Sequence, residues 1–502
     1  NGDYILFYGQ SPHTWKYDAQ SSLFKHETHL FSDAVNYFIT TDGQHVGRRI
    51  EQKETLQNPT KTITSFNAFS FHELELENLI NSGREWFGER FDSQNSQSFD
   101  FSFPNLEMTF PVSVKTSVAA RSLNPSSFLV SVNSDPLQAI SVQNIVTTYA
   151  SAYANTSSKT SVYMASSSNL TIDIEYTSAD NGAFSWLNYI EINARRKLKM
   201  SGDYLLFRDA ASIENGVASF ELSNANIGIS VWDVTDPTSV VKMQTSINDN
   251  KLFFNDSVNE LHEYIAFSSS AYLTPSILGE ITNQNLHNTS IGVEYVIVSH
   301  PNFLVPAERL ADFHQEKGNI SSIVVTPNQI YNEFSSGVQD ISAIRDFLRF
   351  LYKRQNSKLK YVLLFGDGSY DPKNRVTDNT NFIPTYQSLN STHPVYSYVT
   401  DDYFGLLDDN EGEFNNDLVD IGIGRFPVST LSEANLLVAK VQNYYSKNSF
   451  GSWRNDIVFI ADDGDANDGN TFMRDSDSLA NIVADNYKNI NINKIYLDNY
   501  LQ

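Results

Sequence analysis

Glycine and acidic residues are concentrated in three loops of the second half of the chain, each beside a run of residues typical of a buried strand. Residues 366–371 read Gly-Asp-Gly-Ser-Tyr-Asp, residues 400–403 read Thr-Asp-Asp-Tyr, and residues 462–469 read Asp-Asp-Gly-Asp-Ala-Asn-Asp-Gly. Carboxylates can act as acids, bases or ligands for hard cations. In an open parallel sheet, functional groups collect beyond the carboxyl ends of the strands. These loops are therefore the first candidates for a functional site.

The third loop has the residue types of a calcium site. Asp463, Asp465 and Asn467 place oxygen ligands at alternate positions, as the start of an EF-hand loop does. Asp468, however, stands where that loop needs glycine, and Arg474 stands where it needs a bidentate glutamate. The segment is not an EF-hand.

A second acidic segment offers three carboxylates within four positions, at Asp408, Asp409 and Glu411. We expect these residues to be the candidate ligands of a structural calcium ion, because Ca²⁺ prefers carboxylate oxygens. The alternative is a solvated acidic turn. No cofactor is expected to be required.

Asp367 has two interpretations that the sequence leaves open. A Gly-Asp-Gly turn lets the backbone reverse sharply while the aspartate caps neighbouring amides. The same residue could instead present its carboxylate to a site at the end of the preceding strand.

Several kinds of chemistry are excluded within these residues. The chain has no cysteine, so it contains no disulfide, no thiolate zinc site and no cysteine nucleophile. The glycine-rich phosphate-binding motifs, the His-Glu-x-x-His motif and the Gly-x-Ser-x-Gly motif are also absent. Of the ten histidines, only His300 and His393 fall where a parallel-sheet site could use them. Pro301 directly follows His300 at the end of a strand, which favours a structural role for that histidine.

The formal net charge is −24 and the isoelectric point is near 4.7. Such a surface repels phosphate backbones, so no nucleic-acid partner is expected. No apolar run approaches the roughly 18 residues that a membrane-spanning helix needs. The chain starts at Asn1 without an initiator Met or a signal peptide, so we expect a piece of a longer exported polypeptide.

Two regions with different patterns divide the chain. Residues 1–285 contain many short runs with period two, including 4–8 and 98–103, and predict one or two β-sandwiches. From residue 286 to 502, apolar runs alternate with helical patterns, which predicts a parallel sheet with helices on both faces. The predicted strands of this second region include residues 360–365 and 418–422.

Five segments of the second region share an order and spacing: residues 361–367, 401–403, 423–427 with the helix that follows, 456–461 and 479–483. In these segments the chain resembles the gingipain family of caspase-like cysteine peptidases, over about residues 293–500. Residues 3–9 and 15–18, followed by a β-rich region, resemble the branch of that family that serves as a sortase in type IX secretion.

The resemblance implies a caspase-like α/β domain, of which this chain holds the first half and is incomplete at its C-terminal end. It implies a cysteine thiolate that attacks a carbonyl carbon and a histidine that transfers the protons. Neither residue can be placed in this chain, and both are expected beyond Gln502. By the same resemblance, Asp463 and Asp465 are expected at the substrate-facing wall.

The resemblance also implies a function for the full-length protein. It would be a cysteine endopeptidase and transpeptidase that removes C-terminal sorting domains from secreted proteins and can transfer the products to lipopolysaccharide. Its expected partners are a PorV-like β-barrel shuttle protein of the outer membrane, the secreted proteins with sorting domains, and lipopolysaccharide. Its expected location is the bacterial cell surface, associated with the outer membrane. This chain alone is expected to be inactive.

The alternative is a non-catalytic, adhesin-like protein that binds at the cell surface and keeps the caspase-like scaffold. The two hypotheses differ in the polypeptide expected downstream. A Gly-His-Gly turn followed by a strand ending in cysteine supports the enzyme, and substitution of both supports the binding protein.

Overall fold

The computed structural model describes residues 4–40, 47, 49–148, 150–412, 417–464 and 468–500. The chain forms two compact units, one of Asn1–Leu304 with Ile320–Ser429 and the other of Val305–Asn319 with Thr430–Gln502. None of the helices in the described part of the chain combines the length and the apolar character that crossing a bilayer requires.

The region before residue 285 is built from strands, as the alternating sequence pattern predicts. Twenty strands lie among the described residues of this region, joined by turns rich in asparagine, aspartate, serine and glycine. They are β1 (Thr14–Asp18), β2 (Leu23–Glu27), β3 (Glu51–Lys53), β4 (Lys61–Ile63), β5 (Ser65–Glu73), β6 (Arg90–Phe91), β7 (Ser96–Ser102), β8 (Val112–Arg121), β9 (Ser126–Val132), β10 (Asp135–Val142), β11 (Asn155–Tyr163), β12 (Asn169–Ser178), β13 (Phe184–Lys197), β14 (Tyr204–Phe207), β15 (Val217–Ser223), β16 (Ser230–Asp233), β17 (Val241–Met243), β18 (Ser246–Asn248), β19 (Lys251–Ser257) and β20 (Tyr264–Phe267).

The first β-sandwich consists of two antiparallel sheets. One has the order β10-β9-β12-β7, and the other has the order β11-β8-β13-β5 with β6 beside β13. Successive side chains of a strand point to opposite faces, so the apolar residues of β7 all lie on one face. Phe99 and Phe101 from one sheet and Val114 and Ile190 from the other are buried in the shared core.

The second β-sandwich has the sheets β14-β20-β16-β17-β3 and β18-β19-β15-β4. Strands β3 and β4 come from the N-terminal segment and pair in parallel with β17 and β15. Lys53 of β3 donates to the fully buried carboxylate of Asp256 at 2.9 Å. The N-terminal segment is therefore built into the later sandwich, although it precedes the first sandwich in the sequence.

Strands and helices alternate from residue 295 onward. One parallel sheet has the order β22-β21-β23-β26, and in the second unit β27 and β28 also pair in parallel. Antiparallel β24 and β25 form a short hairpin between β23 and β26. The elements are β21 (Tyr295–Ser299), α1 (Leu304–Gly318), β22 (Ser322–Val325), α2 (Pro327–Phe334), α3 (Ile341–Tyr352), β23 (Tyr361–Phe365), β24 (Tyr386–Gln387), β25 (Val399–Thr400), β26 (Gly422–Phe426), α4 (Leu431–Tyr444), β27 (Asp456–Ala461), α5 (Thr471–Asn486) and β28 (Asn491–Tyr496).

The fold class predicted from the sequence is confirmed: a β-sandwich region precedes a parallel α/β region of the caspase-like kind. Helix α3 illustrates how the sequence dictates the elements. Asp340 caps it by accepting a hydrogen bond from the Ser342 amide at 2.7 Å, and its apolar stripe, including Ile344 and Phe347, is buried in the α/β core. The predicted boundary between residues 285 and 286 falls between β20 and β21 and stays a prediction.

Two strand predictions are wrong. Residues 4–8 pair with no strand in the described part of the chain, and Tyr4 and Ile5 are about 70% exposed. The strand predicted at 418–422 begins four residues later, as β26. The stretch before it is held instead by the Asp420 carboxylate, which accepts from the Leu407 amide at 2.8 Å.

Candidate functional site

The carboxyl ends of three neighbouring strands meet at one edge of the four-stranded sheet. The His300 amide, after β21, donates to the Phe365 carbonyl at the end of β23 at 3.1 Å. The Asp367 amide, after β23, donates to the Val428 carbonyl after β26 at 3.0 Å. The hydrogen-bonded ladder thus continues past the strands and holds the loops side by side.

Both glycines of the Gly-Asp-Gly turn are required because residues 382–385 pass very close to its backbone. Gly366 has a φ of +154°, and a Cβ atom on it would lie 2.9 Å from the Phe382 Cβ. A Cβ atom on Gly368 would lie 2.3 Å from the Thr385 methyl carbon. The returning segment, residues 382–385, therefore fits against this turn only because both positions lack a side chain.

Arg425 of β26 holds this turn together. Its Nη1 donates to the carbonyl oxygens of Gly366 and Ile383, both at 2.9 Å. Its Nε and Nη2 donate to the two carboxylate oxygens of Asp401 at 2.8 and 2.7 Å. The side chain of Arg425 is only 12% exposed, so this bidentate pair lies in a poorly solvated place. The Gly-Arg-Phe-Pro and Asp-Asp-Tyr segments that carry the family resemblance thus meet in one structural cluster.

Asp367 contributes to the turn through its backbone. Its carbonyl oxygen accepts from the amides of Phe382 and Ile383 at 3.1 and 3.0 Å. Its half-buried carboxylate accepts a long hydrogen bond of 3.5 Å from the Ser429 hydroxyl. The backbone bonds support the structural interpretation, and a chemical role for the carboxylate stays a hypothesis.

The geometry of His300 fits the structural role that the sequence favours. Its Nδ1 accepts from the Asn302 amide at 3.3 Å, which caps the short 3₁₀ turn Pro301–Phe303. Its ring lies 4.7 Å from the Phe382 ring, edge to face. Burial lowers the pKa of His300, so its ring is neutral and able to accept this bond at neutral pH.

Of the three residues expected to bind calcium, Asp408, Asp409 and Glu411, only Asp408 and Glu411 have carboxylates close enough together to share an ion. Oxygen atoms of Asp408, Glu411 and Asp420 lie within 4.8 Å of one another and could hold an ion. The Asp409 carboxylate is instead paired with the guanidinium of Arg349. Asp408 also pairs with Lys353 at 2.8 Å. The calcium site stays a prediction, and the geometry offers Asp420 as its third ligand in place of Asp409.

The two residues expected at a substrate-facing wall belong to the loop after β27. Asp463 is half-buried there, and its amide hydrogen-bonds the side chain of Asp462 at 3.0 Å. Asp465 lies outside the described residues. The substrate-binding role of both stays a prediction.

The second β-sandwich holds a buried polar cluster that the sequence analysis missed. Asp233 accepts from His262 at 3.1 Å, while Asp256 accepts from Lys53 and from the Tyr264 hydroxyl at 2.9 Å. The pKa of His262 is raised by its hydrogen bond to Asp233. These residues come from four strands and, for His262, the loop before β20, and they share no motif, so only the folded arrangement reveals the cluster. Lys53 compensates the negative charge, which makes the cluster a cross-link of β3 to this sandwich.

The α/β region matches a known family. Residues 288–502 match the model of peptidase family C25, the gingipain family. With the parallel sheet and the cluster around Arg425, this match shows that the α/β region is similar to the cysteine peptidases of family C25.

The particular protein that the chain resembles over most of its length is PorU. The crystal structure of dimeric latent PorU from Porphyromonas gingivalis is similar with a TM-score of 0.76 and 25% sequence identity, over 89% of this chain. The chain spans 44% of the length of that PorU chain. The Arg-specific cysteine proteinase gingipain R is matched at 17% identity and a TM-score of 0.31, over 41% of this chain and 42% of that one. No curated protein sequence matches the chain.

Proposed function

We propose that this chain forms the front part of a cell-surface cysteine peptidase that removes C-terminal sorting domains from secreted proteins. The observation that carries the proposal is the likeness to PorU across both the β-sandwich region and the α/β region, combined with the C25 match over residues 288–502. Gingipain-like sheets alone would support a peptidase of unspecified role. The added likeness of the β-sandwiches favours the processing enzyme of type IX secretion.

In this proposal, the chain supplies the scaffold, and the nucleophile comes from polypeptide outside these 502 residues, because the chain has no cysteine. A thiolate would attack the carbonyl carbon before the sorting domain, and a histidine would protonate the departing amine. The acyl-enzyme would then be resolved by an amine of lipopolysaccharide or by water. Asp463 and Asp465 are proposed to face the substrate.

The proposed setting follows from the same likeness. The full-length protein would act at the outer surface of the outer membrane, beside a β-barrel shuttle protein that delivers secreted substrates. Lipopolysaccharide would accept the processed protein. A structural calcium ion near Asp408 and Glu411 would stabilise the fold without taking part in the reaction.

A binding protein without catalysis is the second candidate. One observation favours it: charged groups at the sheet edge serve the structure, since Arg425 and Asp401 bind each other. In that case the chain would recognise sorting domains or surface glycolipid without cleaving anything.

The experiment that separates these functions measures the secreted proteins of the source organism. The gene is deleted, and the C-terminal peptides of exported proteins are identified by mass spectrometry. The proposal predicts that sorting domains remain attached in the deletion strain and are removed again when the whole gene is restored. Normal removal in the deletion strain would leave the binding protein as the better account.

A further inference from the structure

A cleft of about 410 Å³ lies within the first compact unit. Three separate parts of the chain line it: Leu30 and Phe31 of the N-terminal segment, Arg84 and Trp86 of the loop between β5 and β6, and residues of the α/β region that include Tyr370 and Tyr386. Its volume falls within the range of about 300–1,000 Å³ that is typical of small-molecule sites.

One wall of the cleft is the aromatic pair of Trp86 and Tyr370, which is supported by Arg375. The ring of Trp86 stacks on that of Tyr370, with 5.9 Å between their centroids and 18° between their planes. The guanidinium of Arg375 covers the Trp86 ring at 4.6 Å and pairs with Asp371 and Glu75. This wall is therefore formed before any ligand arrives.

Another wall is equally fixed. Tyr386 stacks on Tyr403 with 5.1 Å between their centroids. The Tyr403 hydroxyl hydrogen-bonds Ser342 at 3.1 Å, and the guanidinium of Arg345 lies 5.0 Å from the Tyr403 ring centroid. Walls that need no rearrangement lower the entropic cost of binding a flat apolar group.

Arg84 is the charged group of the cleft. Its backbone is held by a hydrogen bond from its amide to the Ser388 carbonyl at 3.1 Å. The preceding Gly83 has a φ of +81° and no space for a Cβ atom, since the Asn390 carbonyl oxygen would lie 2.4 Å away. The side chain of this half-buried residue makes no hydrogen bond or close ion pair with any described residue, although its charge attracts the neighbouring Glu85 carboxylate. Arg345, Arg375 and Arg425 in the same unit are all bonded to oxygen atoms.

The side-chain amide of Gln387, another polar group of the cleft, is already hydrogen-bonded. The Gln387 side chain accepts from the Gly83 amide at 3.1 Å and donates to the Thr385 hydroxyl at 2.8 Å. No acidic side chain lines the cleft in the described part of the chain. A guanidinium with free donors can hold a carboxylate through two parallel hydrogen bonds.

We propose that this cleft binds a carboxylate joined to a flat apolar group, with Arg84 holding the carboxylate and the aromatic walls contacting the flat group. The single positive charge of Arg84 matches a monoanion better than a phosphate dianion. The same charge repels a metal cation. The ligand chemistry is shared by a free aryl carboxylic acid and by the C-terminal residue of a peptide that ends in an aromatic side chain. The proposal does not depend on the peptidase function.

The test is isothermal titration calorimetry of the purified protein with three probes: 3-phenylpropionate, N-acetylphenylalanine and N-acetylphenylalanine amide. The two acids should bind and the amide should bind at least about tenfold more weakly, because a hydrogen bond to a charged group typically contributes about 1.5–3 kcal/mol. Tighter binding of N-acetylphenylalanine than of 3-phenylpropionate identifies a peptide end as the ligand, and the reverse identifies a free acid.

The variant Arg84→Gln should bind the two acids at least about tenfold more weakly than the wild type does. Its affinity for the amide should be unchanged. Arg84→Lys keeps the charge without the paired donors and should fall between wild type and Arg84→Gln. Arg474→Gln is the matched control, since its side chain is 71% exposed on the second unit and binding should not change. The absence of binding at millimolar acid, equal affinity for acid and amide, or wild-type affinity in Arg84→Gln would each overturn the proposal.

Discussion

Arg425 and Asp401 form a two-bond pair, with Nε 2.8 Å from Oδ2 and Nη2 2.7 Å from Oδ1. The same guanidinium also donates to the Gly366 carbonyl, so β26, the Gly-Asp-Gly turn and the segment before Tyr403 are joined by one side chain. Removing one partner of a buried ion pair leaves the other charge without compensation.

The variant Arg425→Leu should therefore lower the free energy of unfolding by about 3 kcal/mol or more, and Asp401→Asn by less, because an asparagine still accepts one bond. Urea denaturation of the purified protein measures both. The control Arg474→Leu, at a highly exposed position, should change stability by no more than about 0.5 kcal/mol. A loss below about 1 kcal/mol for Arg425→Leu would show that the cluster does not hold the fold.

Gly368→Ala tests the close approach of the chain at the sheet edge. The added methyl group would lie 2.3 Å from the Thr385 methyl carbon and 3.1 Å from the Ile383 carbonyl oxygen. We expect a loss of about 1–3 kcal/mol in the free energy of unfolding, the usual cost of overpacking. Gly424→Ala in β26 is the matched control, since its added carbon would lie 3.7 Å from the nearest Leu363 atom. The double variant Gly368→Ala, Thr385→Ser removes the closer clash and should recover part of the loss.

The surroundings of His26 in β2 predict that the stability contributed by the N-terminal hairpin of β1 and β2 depends on pH. Its two ring nitrogens lie 2.8 Å from Glu191 and 2.7 Å from Glu73, on the face of β5 and β13. Burial alone lowers the pKa of His26, but the hydrogen bonds and charges of Glu191 and Glu73 outweigh burial and raise the pKa above 6.5. The stabilisation by this group is fully present below the pKa of an unfolded histidine, and it is lost as the pH rises through the higher folded pKa.

The measurement is urea denaturation about one pH unit below and about two units above the ordinary histidine pKa. The wild-type protein should lose more stability on going to the higher pH than His26→Gln does. The difference between the two proteins isolates His26 from the other histidines, including His262. An identical pH dependence of wild type and variant would contradict the pKa shift.

Calcium should raise the thermal midpoint of the wild-type protein when it is added at about 5 mM, above the dissociation constants typical of extracellular calcium sites. Glu411→Gln should abolish this rise. Asp409→Asn should keep it, because the Asp409 carboxylate is already paired with Arg349. Loss of the effect in Asp409→Asn as well as in Glu411→Gln would favour the ligand set expected from sequence spacing over the one in the structure.

Local sequence patterns were sufficient for the elements whose stability is local. The alternation that predicted a strand at residues 98–103 is present in β7, and the buried stripe of α3 and the Thr430–Glu433 capping box of α4 are likewise visible in the local sequence. Helix α2 was missed, although its capping box from Thr326 to Gln329 was a readable signal.

The features that the sequence could not reveal depend on distant contacts. Strand β26 contains two glycines and an arginine, and only its neighbours explain them: a Cβ atom on Gly422 would lie 2.9 Å from the Tyr361 ring, and Arg425 binds the turn opposite. The parallel addition of β3 to the second sandwich joins residues almost two hundred positions apart. The spacing of the acidic residues also suggested Asp409 as a calcium ligand. In the structure its carboxylate forms an ion pair with Arg349 instead.

The most direct test of the central claim is to locate the nucleophile of the full-length protein. The whole protein is treated with a peptide-based thiol-reactive probe, and the modified residue is mapped by mass spectrometry while cleavage of a sorting-domain substrate is followed. Our account predicts that a single cysteine outside these 502 residues is labelled, that cleavage stops, and that the 502-residue chain alone neither reacts nor cleaves. Cleavage by the chain alone, or cleavage by the whole protein that thiol modification leaves intact, would contradict it.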